Sequence, residues 1–161
     1  MGCLDIPNET FFTMEMTPIK FGPGAISYPI AGQVKNFSPP GYPKDEPMIP
    51  HGLSVVITAP STFRWTYPAS PERHLRAAQL LGGNVHGLTT TEMSEALPRT
   101  LLSLMHDTGI ANGLDALGYG EADVSTLIDG TLKQQRLLVN CPRAVGAEEL
   151  RYVIQQSFKY W

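Results

Sequence analysis

The chain has 161 residues, of which 42% are hydrophobic and 17% are charged, so it can bury the core of one globular domain. Its 12 basic and 15 acidic side chains leave a formal charge of -3, and no lysine or arginine cluster offers the positive surface that nucleic-acid phosphates need. The longest uncharged apolar stretch, at 53–59, is far shorter than the roughly 20 residues that cross a bilayer. We therefore expect neither a nucleic-acid partner nor a membrane-spanning segment.

The N-terminal residues contain no recognisable targeting segment. They include Asp5, Glu9 and Glu15 and no arginine, whereas a mitochondrial transit peptide is rich in arginine and poor in acidic residues. Cys3 and Cys141 are too few and too far apart in sequence for a disulfide framework, which predicts reduced thiols in an intracellular compartment.

Composition divides the chain into an N-terminal stretch at 1–20, a Gly/Pro-rich stretch at 21–50 and a helix-patterned remainder that starts at His51. Five prolines between 37 and 50 remove backbone N–H donors and push the preceding residues towards extended geometry. We therefore predict a Pro-rich loop at 37–50. The next stretch, 53–58, is rich in β-branched residues and is a strand on propensity alone, although periodicity does not decide it.

Helix signals become clear from Ser70, which is a good N-cap before Pro71 at the first helical position. The pattern predicts a helix that ends at Gly82-Gly83. A second helix is predicted from the capping box formed by Thr89 and Glu92 to Gly109, with Pro98 either kinking it or marking its true start.

Two further amphipathic helices are predicted near the C-terminus. The first contains Val124 and Ile128 and is expected to end at Gly130. The second follows Glu148 and Glu149, which suit a helix N-terminus, and carries apolar residues at helical spacing. Most of the chain is thus expected to be all-α.

His51 is the one candidate metal ligand that the residues suggest. It lies between Pro50 and Gly52, directly before an apolar run, and imidazole suits iron or zinc. A single histidine in such a place is more often structural, so this signal is weak by itself. The other histidines lack metal-ligand spacing, and we expect surface or capping roles for them: His74, His86 and His106.

Signatures of self-contained catalysis are missing from the sequence. Gly22-Pro23-Gly24 and Gly118-Tyr119-Gly120 match neither a dinucleotide fingerprint nor a Walker loop, and we interpret both as turns. No GxSxG elbow or reactive cysteine context is present. We therefore assign no catalytic residue and no cofactor-binding residue.

Several segments resemble, in order and spacing, the hydroxyacid-oxoacid transhydrogenases of the iron-containing alcohol dehydrogenase family. The longer matches are Ser27-Tyr28-Pro29-Ile30-Ala31-Gly32, Ile49-Pro50-His51-Gly52-Leu53-Ser54-Val55-Val56 and Pro71-Glu72-Arg73-His74-Leu75. The shorter ones are Gly113-Leu114, Leu117-Gly118-Tyr119, Ala122-Asp123, Gly130-Thr131-Leu132, Gln135-Arg136 and Cys141-Pro142. The resemblance covers roughly 26–160.

This resemblance implies a particular fold and site. The family combines an N-terminal nucleotide-binding α/β domain with a C-terminal helical domain, and one Asp and three His hold a divalent metal, usually iron. The chain resembles the last part of the helical domain only, at 23–161, so we expect the nucleotide-binding domain to be absent. His51 matches a metal-binding His of the family, and 53–58 becomes helical by the same match.

The departures from the family pattern are as informative. Gly24 stands where the family has another metal-binding His, the remaining ligands and the NAD-binding segment match nothing in this chain, and residues 1–22 resemble nothing in the family. A metal held by one donor of four is held poorly. We therefore expect the chain alone to retain neither iron nor NAD.

The resemblance implies a function in the complete enzyme: hydride passes between a hydroxyacid such as 4-hydroxybutyrate and an oxoacid such as 2-oxoglutarate through bound nicotinamide, and the metal acts as a Lewis acid. One alternative is another iron-containing alcohol dehydrogenase activity. The other is a non-catalytic helical module that self-associates through exposed apolar surface. A mitochondrial location follows from the resemblance, with the cytoplasm as the alternative.

Overall fold

The computed structural model describes residues 24–33 and 35–161, and within them every regular element is helical, which confirms the all-α prediction. The α-helices are α1 (Gly24–Gly32), α2 (His51–Thr66), α3 (Pro71–Leu80), α4 (Thr90–Asp107), α5 (Val124–Leu132), α6 (Gln135–Leu138) and α7 (Ala147–Gln155). Three 3-10 helices join them: Tyr67–Ala69, Asp115–Leu117 and Glu121–Asp123. None of these helices has the length and hydropathy needed to cross a bilayer. The N-terminal segment at 1–22 and the predicted turn at Gly22-Pro23 lie outside the described residues.

Helix α2 is the central element, because α1, α4 and α7 all pack against it. It begins directly after Pro50, whose backbone (φ -56°, ψ 139°) is extended and whose carbonyl accepts from the N–H of Ser54 at 3.0 Å. Residues 35–50 before it form no helix. The stretch at 53–58 lies within α2 and is therefore helical. The family resemblance implied this, although the residues themselves favour a strand.

Buried hydroxyl groups explain how this helix tolerates a β-rich sequence. Ser54 and Thr62 donate to carbonyl oxygens one turn earlier, at 2.7 and 2.8 Å, so their polar atoms are satisfied without leaving the helix. Ile57 is fully buried in the main core. Tertiary packing thus outweighs the local preference for a strand.

Helix α1 packs against α5 with unusually close backbones. A Cβ atom added at Gly130 would lie 2.5 Å from Cβ of Pro29, so only glycine fits between the helices. The prediction that Gly130 ends α5 is wrong, since the helix continues to Leu132. The hydroxyl of Tyr119 donates to the carbonyl of Ile30 at 2.6 Å, and burial raises the pKa of Tyr119 to about 12.

The prediction of α3 is confirmed in position but wrong in one contact. Ser70 occupies the N-cap position, yet its side chain makes no capping bond. Its carbonyl oxygen instead accepts from the backbone N–H of His74 at 3.2 Å and contacts Nδ1 of the same residue at 2.8 Å.

His74 is buried, so its predicted surface or capping role is wrong. Nδ1 must donate to the Ser70 carbonyl, which leaves Nε2 to accept from the Thr66 hydroxyl at 2.9 Å in the neutral ring. Burial lowers the pKa of His74 from its ordinary value. His86 and His106 are exposed, as expected.

Helix α4 begins with the predicted capping box. The N–H of Thr89 donates to Glu92 Oε2 at 2.8 Å, and the N–H of Glu92 reaches Thr89 Oγ1 at 3.4 Å. Pro98 neither starts nor ends this helix but lies buried within it. Arg64 holds α4 to α2 through two bonds to Glu95, at 2.6 and 2.7 Å, and this pairing lowers the pKa of Glu95.

Substituting Gly130→Ala should force α1 away from α5, because the added methyl group would overlap Pro29. We expect a loss of about 1–3 kcal/mol in the free energy of unfolding. The control is Gly52→Ala, also in a helix but with no atom within 4 Å of the added Cβ, which should be neutral or stabilising by up to about 1 kcal/mol. Urea unfolding of both variants measures this, and equal stabilities would contradict the proposed packing.

The stability of the fold should fall as the pH drops because of His74. Its pKa is lowered in the folded chain, so unfolding takes up a proton once the pH falls below the ordinary value of 6.5. The contribution is complete above that pH and declines below it, by at most about 1.4 kcal/mol per pH unit. His74→Gln should flatten the pH dependence of unfolding between pH 7 and 5, whereas His86→Gln, at an exposed site, should leave it unchanged. Parallel curves for the wild type and His74→Gln would show that His74 is not responsible.

Candidate functional site

His51 is the first residue of α2, and its side chain is exposed. The bend at Pro50 sets its position, and the carbonyl of His51 accepts from the Ser54 hydroxyl at 2.7 Å. Among the described residues, neither ring nitrogen has a hydrogen-bond partner. The imidazole is thus held by its backbone while both nitrogens stay available to a ligand.

The ring of Tyr28 lies beside His51, with 5.0 Å between the ring centroids and 58° between their planes. Tyr28 projects from α1 and is 40% exposed. Arg136 also contacts Tyr28: its Nη2 donates to the Tyr28 hydroxyl at 2.8 Å, and the guanidinium carbon lies 5.4 Å from the ring centroid. Three side chains from α1, α2 and α6 therefore form one exposed surface, the His51 face.

Gly24 is the first residue of α1, one helical turn before Tyr28. Side chains four residues apart lie on the same side of a helix, so a side chain at position 24 would project near Tyr28. Among the described residues, a Cβ atom there would meet nothing within 4 Å. The fold therefore leaves room for the histidine that the family resemblance places at this position.

The donors in the described residues do not fit a complete metal site. In residues 24–33 and 35–161, no group of three or more His, Cys, Asp or Glu side chains could hold an ion. His74 is buried and bonded to Thr66, and His106 packs against the ring of Trp161. His51 could give one imidazole donor, and further donors would have to come from outside the described residues.

No dinucleotide-binding arrangement appears in the same part of the chain. The segment Gly118-Tyr119-Gly120 is a turn, as predicted, in which Gly118 adopts a left-handed backbone (φ +87°) after the helix at Asp115–Leu117. No strand precedes a Gly-rich loop among the described residues, and that combination is the basis of nucleotide phosphate binding in α/β domains.

Residues 46–158 match the family model described as the Fe-containing alcohol dehydrogenase family, C-terminal. The chain belongs to this family. The matched segment starts before His51 and includes every helix from α2 to α7. This confirms the resemblance stated above and identifies the helical fold as the family's C-terminal domain.

Similar proteins include the mitochondrial hydroxyacid-oxoacid transhydrogenases of Xenopus tropicalis and Homo sapiens. They are 41% and 38% identical over 136 residues, which is 84% of this chain and 29% of each relative. These similarities therefore support the resemblance to the transhydrogenases within the family. The chain spans less than a third of the length of these relatives.

Two solved structures have a similar fold. A 1,3-propanediol oxidoreductase is 26% identical with a TM-score of 0.67, and the match covers 85% of this chain and 32% of that one. The alcohol dehydrogenase from Oenococcus oeni has a TM-score of 0.68 over 84% of this chain and 32% of its own, at 23% identity, which is evidence for the fold alone.

Sequence reasoning found His51 but did not single out Tyr28 or Arg136 as site residues. Both lie in matched segments, Ser-Tyr-Pro-Ile and Gln-Arg, so the signal was present. Nothing local in the sequence shows that residues separated by 108 positions share a hydrogen bond.

Proposed function

We propose that this chain supplies the C-terminal helical part of an iron-dependent hydroxyacid-oxoacid transhydrogenase. The reaction would convert 4-hydroxybutyrate and 2-oxoglutarate into succinate semialdehyde and 2-hydroxyglutarate, with NAD carrying the hydride. The observation that supports this most is the similarity to named transhydrogenases over 84% of the chain. The His51 face supports it further, since it combines a cation at an exposed surface with an imidazole that has no hydrogen-bond partner among the described residues.

In this proposal His51 is one metal donor. Its imidazole has no hydrogen-bond partner among the described residues and sits at a fixed helix start, so little reordering is needed for it to bind an ion. One donor is too few for stable chelation, which depends on several preorganised ligands. We therefore propose that these 161 residues alone neither retain iron nor transfer hydride.

Gly24 limits the site in a second way. No described residue fills the position where the fold could accept a histidine. The chain would thus bring one metal donor where the family resemblance implies two. Restoring that donor should restore turnover only where the other ligands and the nucleotide site are present, because reacting groups must also be held close together.

The test is a chimera in which residues 23–161 replace the matched segment of the Xenopus tropicalis transhydrogenase. With Gly24 we expect at least a hundredfold lower turnover of 4-hydroxybutyrate and 2-oxoglutarate than in the parent, together with substoichiometric iron. Gly24→His should restore both iron content and turnover. Adding His51→Ala to that variant should abolish both.

Two controls make the outcome decisive. The isolated chain, assayed anaerobically with iron, NAD and both acids, should show no turnover above that of His51→Ala. Cobalt titration of the isolated Gly24→His variant should show tighter binding than the wild type, because two imidazoles would then share one side of the fold. If the Gly24→His chimera folds and binds iron but oxidises only uncharged alcohols, the transhydrogenase proposal fails.

That last outcome would favour the alternative of another iron-containing alcohol dehydrogenase activity, which the likeness to a 1,3-propanediol oxidoreductase supports.

A second alternative is a non-catalytic helical module. Leu80 is 62% and Val139 74% exposed, and large exposed apolar side chains favour association. We therefore propose self-association of the isolated chain, and light scattering that shows a monomer at high concentration would contradict it.

We also propose a mitochondrial location, because the relatives are named as mitochondrial proteins. The cytoplasm is the alternative. Cell fractionation with an antibody against residues of α4 distinguishes the two compartments.

A further inference from the structure

Arg136 forms a cationic site next to His51. Its guanidinium is placed by the hydrogen bond to Tyr28 and lies over the same ring that His51 contacts. Its backbone is fixed as well, since its carbonyl accepts from Asn140 and the following turn buries Leu138. An arginine held in this way loses little further freedom when it binds an anion.

No carboxylate neutralises this cation in the part of the chain that the structure describes. The ion pairs found there join Lys35 to Asp123, Arg64 to Glu95 and His106 to Asp107. Arg136 uses one N–H group on Tyr28 and is exposed, so its other N–H groups face solvent. The Tyr28 hydroxyl accepts from Arg136, which leaves its own hydrogen to donate to the same anion.

The two acids of the proposed reaction share one geometric feature. In 4-hydroxybutyrate the carboxylate is separated from the hydroxyl-bearing carbon by the same number of carbon–carbon bonds that separates the distal carboxylate of 2-oxoglutarate from its oxo carbon. A single fixed cation can therefore hold both acids with their reacting carbons at the same place. Arginine suits this task, because its planar N–H groups match a carboxylate.

On the basis of the proposed function, we propose that Arg136, in contact with the Tyr28 ring, binds this distal carboxylate and places the reacting carbon beside His51. Arg136 is then the residue that selects short acids over the corresponding uncharged alcohols. It acts on both half-reactions, since succinate semialdehyde, the product of the first, leaves and the oxoacid then enters the same position.

The first test uses the metal-free 161-residue chain and NMR titration of the Tyr28 ring and the Arg136 side-chain N–H. 4-Hydroxybutyrate and 2-oxoglutarate should shift both signals, whereas 1,4-butanediol, which replaces the carboxylate with an alcohol, should not. Arg136→Gln should weaken binding at least tenfold, and Arg136→Lys, which keeps the charge, should weaken it less. Arg151→Gln, at an exposed arginine of α7, should leave it unchanged.

Two results would overturn the proposal: absence of any shift in the wild type up to saturating acid, or equal binding by Arg136→Gln. Inorganic phosphate is a further arm of the titration. If it competes as strongly as the acids, the site is a general anion site and the assignment to a carboxylate is wrong.

The second test uses the Gly24→His chimera. Arg136→Gln should raise KM for both acids at least tenfold and leave kcat/KM for 1,4-butanediol unchanged, whereas a purely structural role would lower both. A chimera inactive towards every substrate would contradict the proposed function, while the metal-free titration would still decide the role of Arg136.

Discussion

The packing of α1 against α5 is the contact on which the candidate site depends. Pro29 packs against Gly130, which has no side chain. The Tyr119 hydroxyl holds the C-terminal part of α1 by donating to the carbonyl of Ile30. Tyr28 is the neighbour of Pro29 in sequence, so the same contact determines where its ring lies. His51 and Arg136 both contact that ring. A shift between the two helices would therefore move the Tyr28 ring away from the imidazole and the guanidinium that contact it.

The core supports this arrangement through α2, which carries His51 at its start and is buried along most of its length. Its far half is linked to the C-terminal residues, because the hydroxyls of Ser61, Ser157 and Tyr160 form one buried hydrogen-bonded group, with distances of 2.8 and 2.9 Å. Such groups are stabilising only when every member is satisfied, and here no buried polar side-chain atom of the described residues lacks a partner. The N-terminal end of α2 is thus anchored by contacts far from the site.

Sequence patterns identified the helices whose signals are local and failed where a distant residue decides. The capping box at Thr89 needs only its own turn, and it was predicted correctly. A glycine such as Gly130 often marks the end of a helix. Here it lies within α5, and its lack of a side chain leaves room for Pro29, about a hundred positions away. His74 is buried because Thr66 and Ser70 satisfy its ring, which no spacing rule reveals. At 53–58 the family resemblance predicts a helix, which is correct. Strand propensity alone would have assigned a strand to part of α2, the central helix.

The same distinction explains why His51 was identified and Arg136 was not. His51 was singled out by its short Pro-His-Gly context, which resembles a metal-binding segment of the family, whereas the position of Arg136 becomes apparent only through its contact with the Tyr28 ring. Family membership identifies the fold, whereas one imidazole and one guanidinium by themselves would bind a substrate without activating it. Catalysis in this family would need the remaining donors and the nicotinamide within reach of the same carbon. On the proposals above, the His51 face would be one wall of a cleft: it would bind the acid end of the substrate and add one metal donor, and the chemistry would depend on the groups that face it.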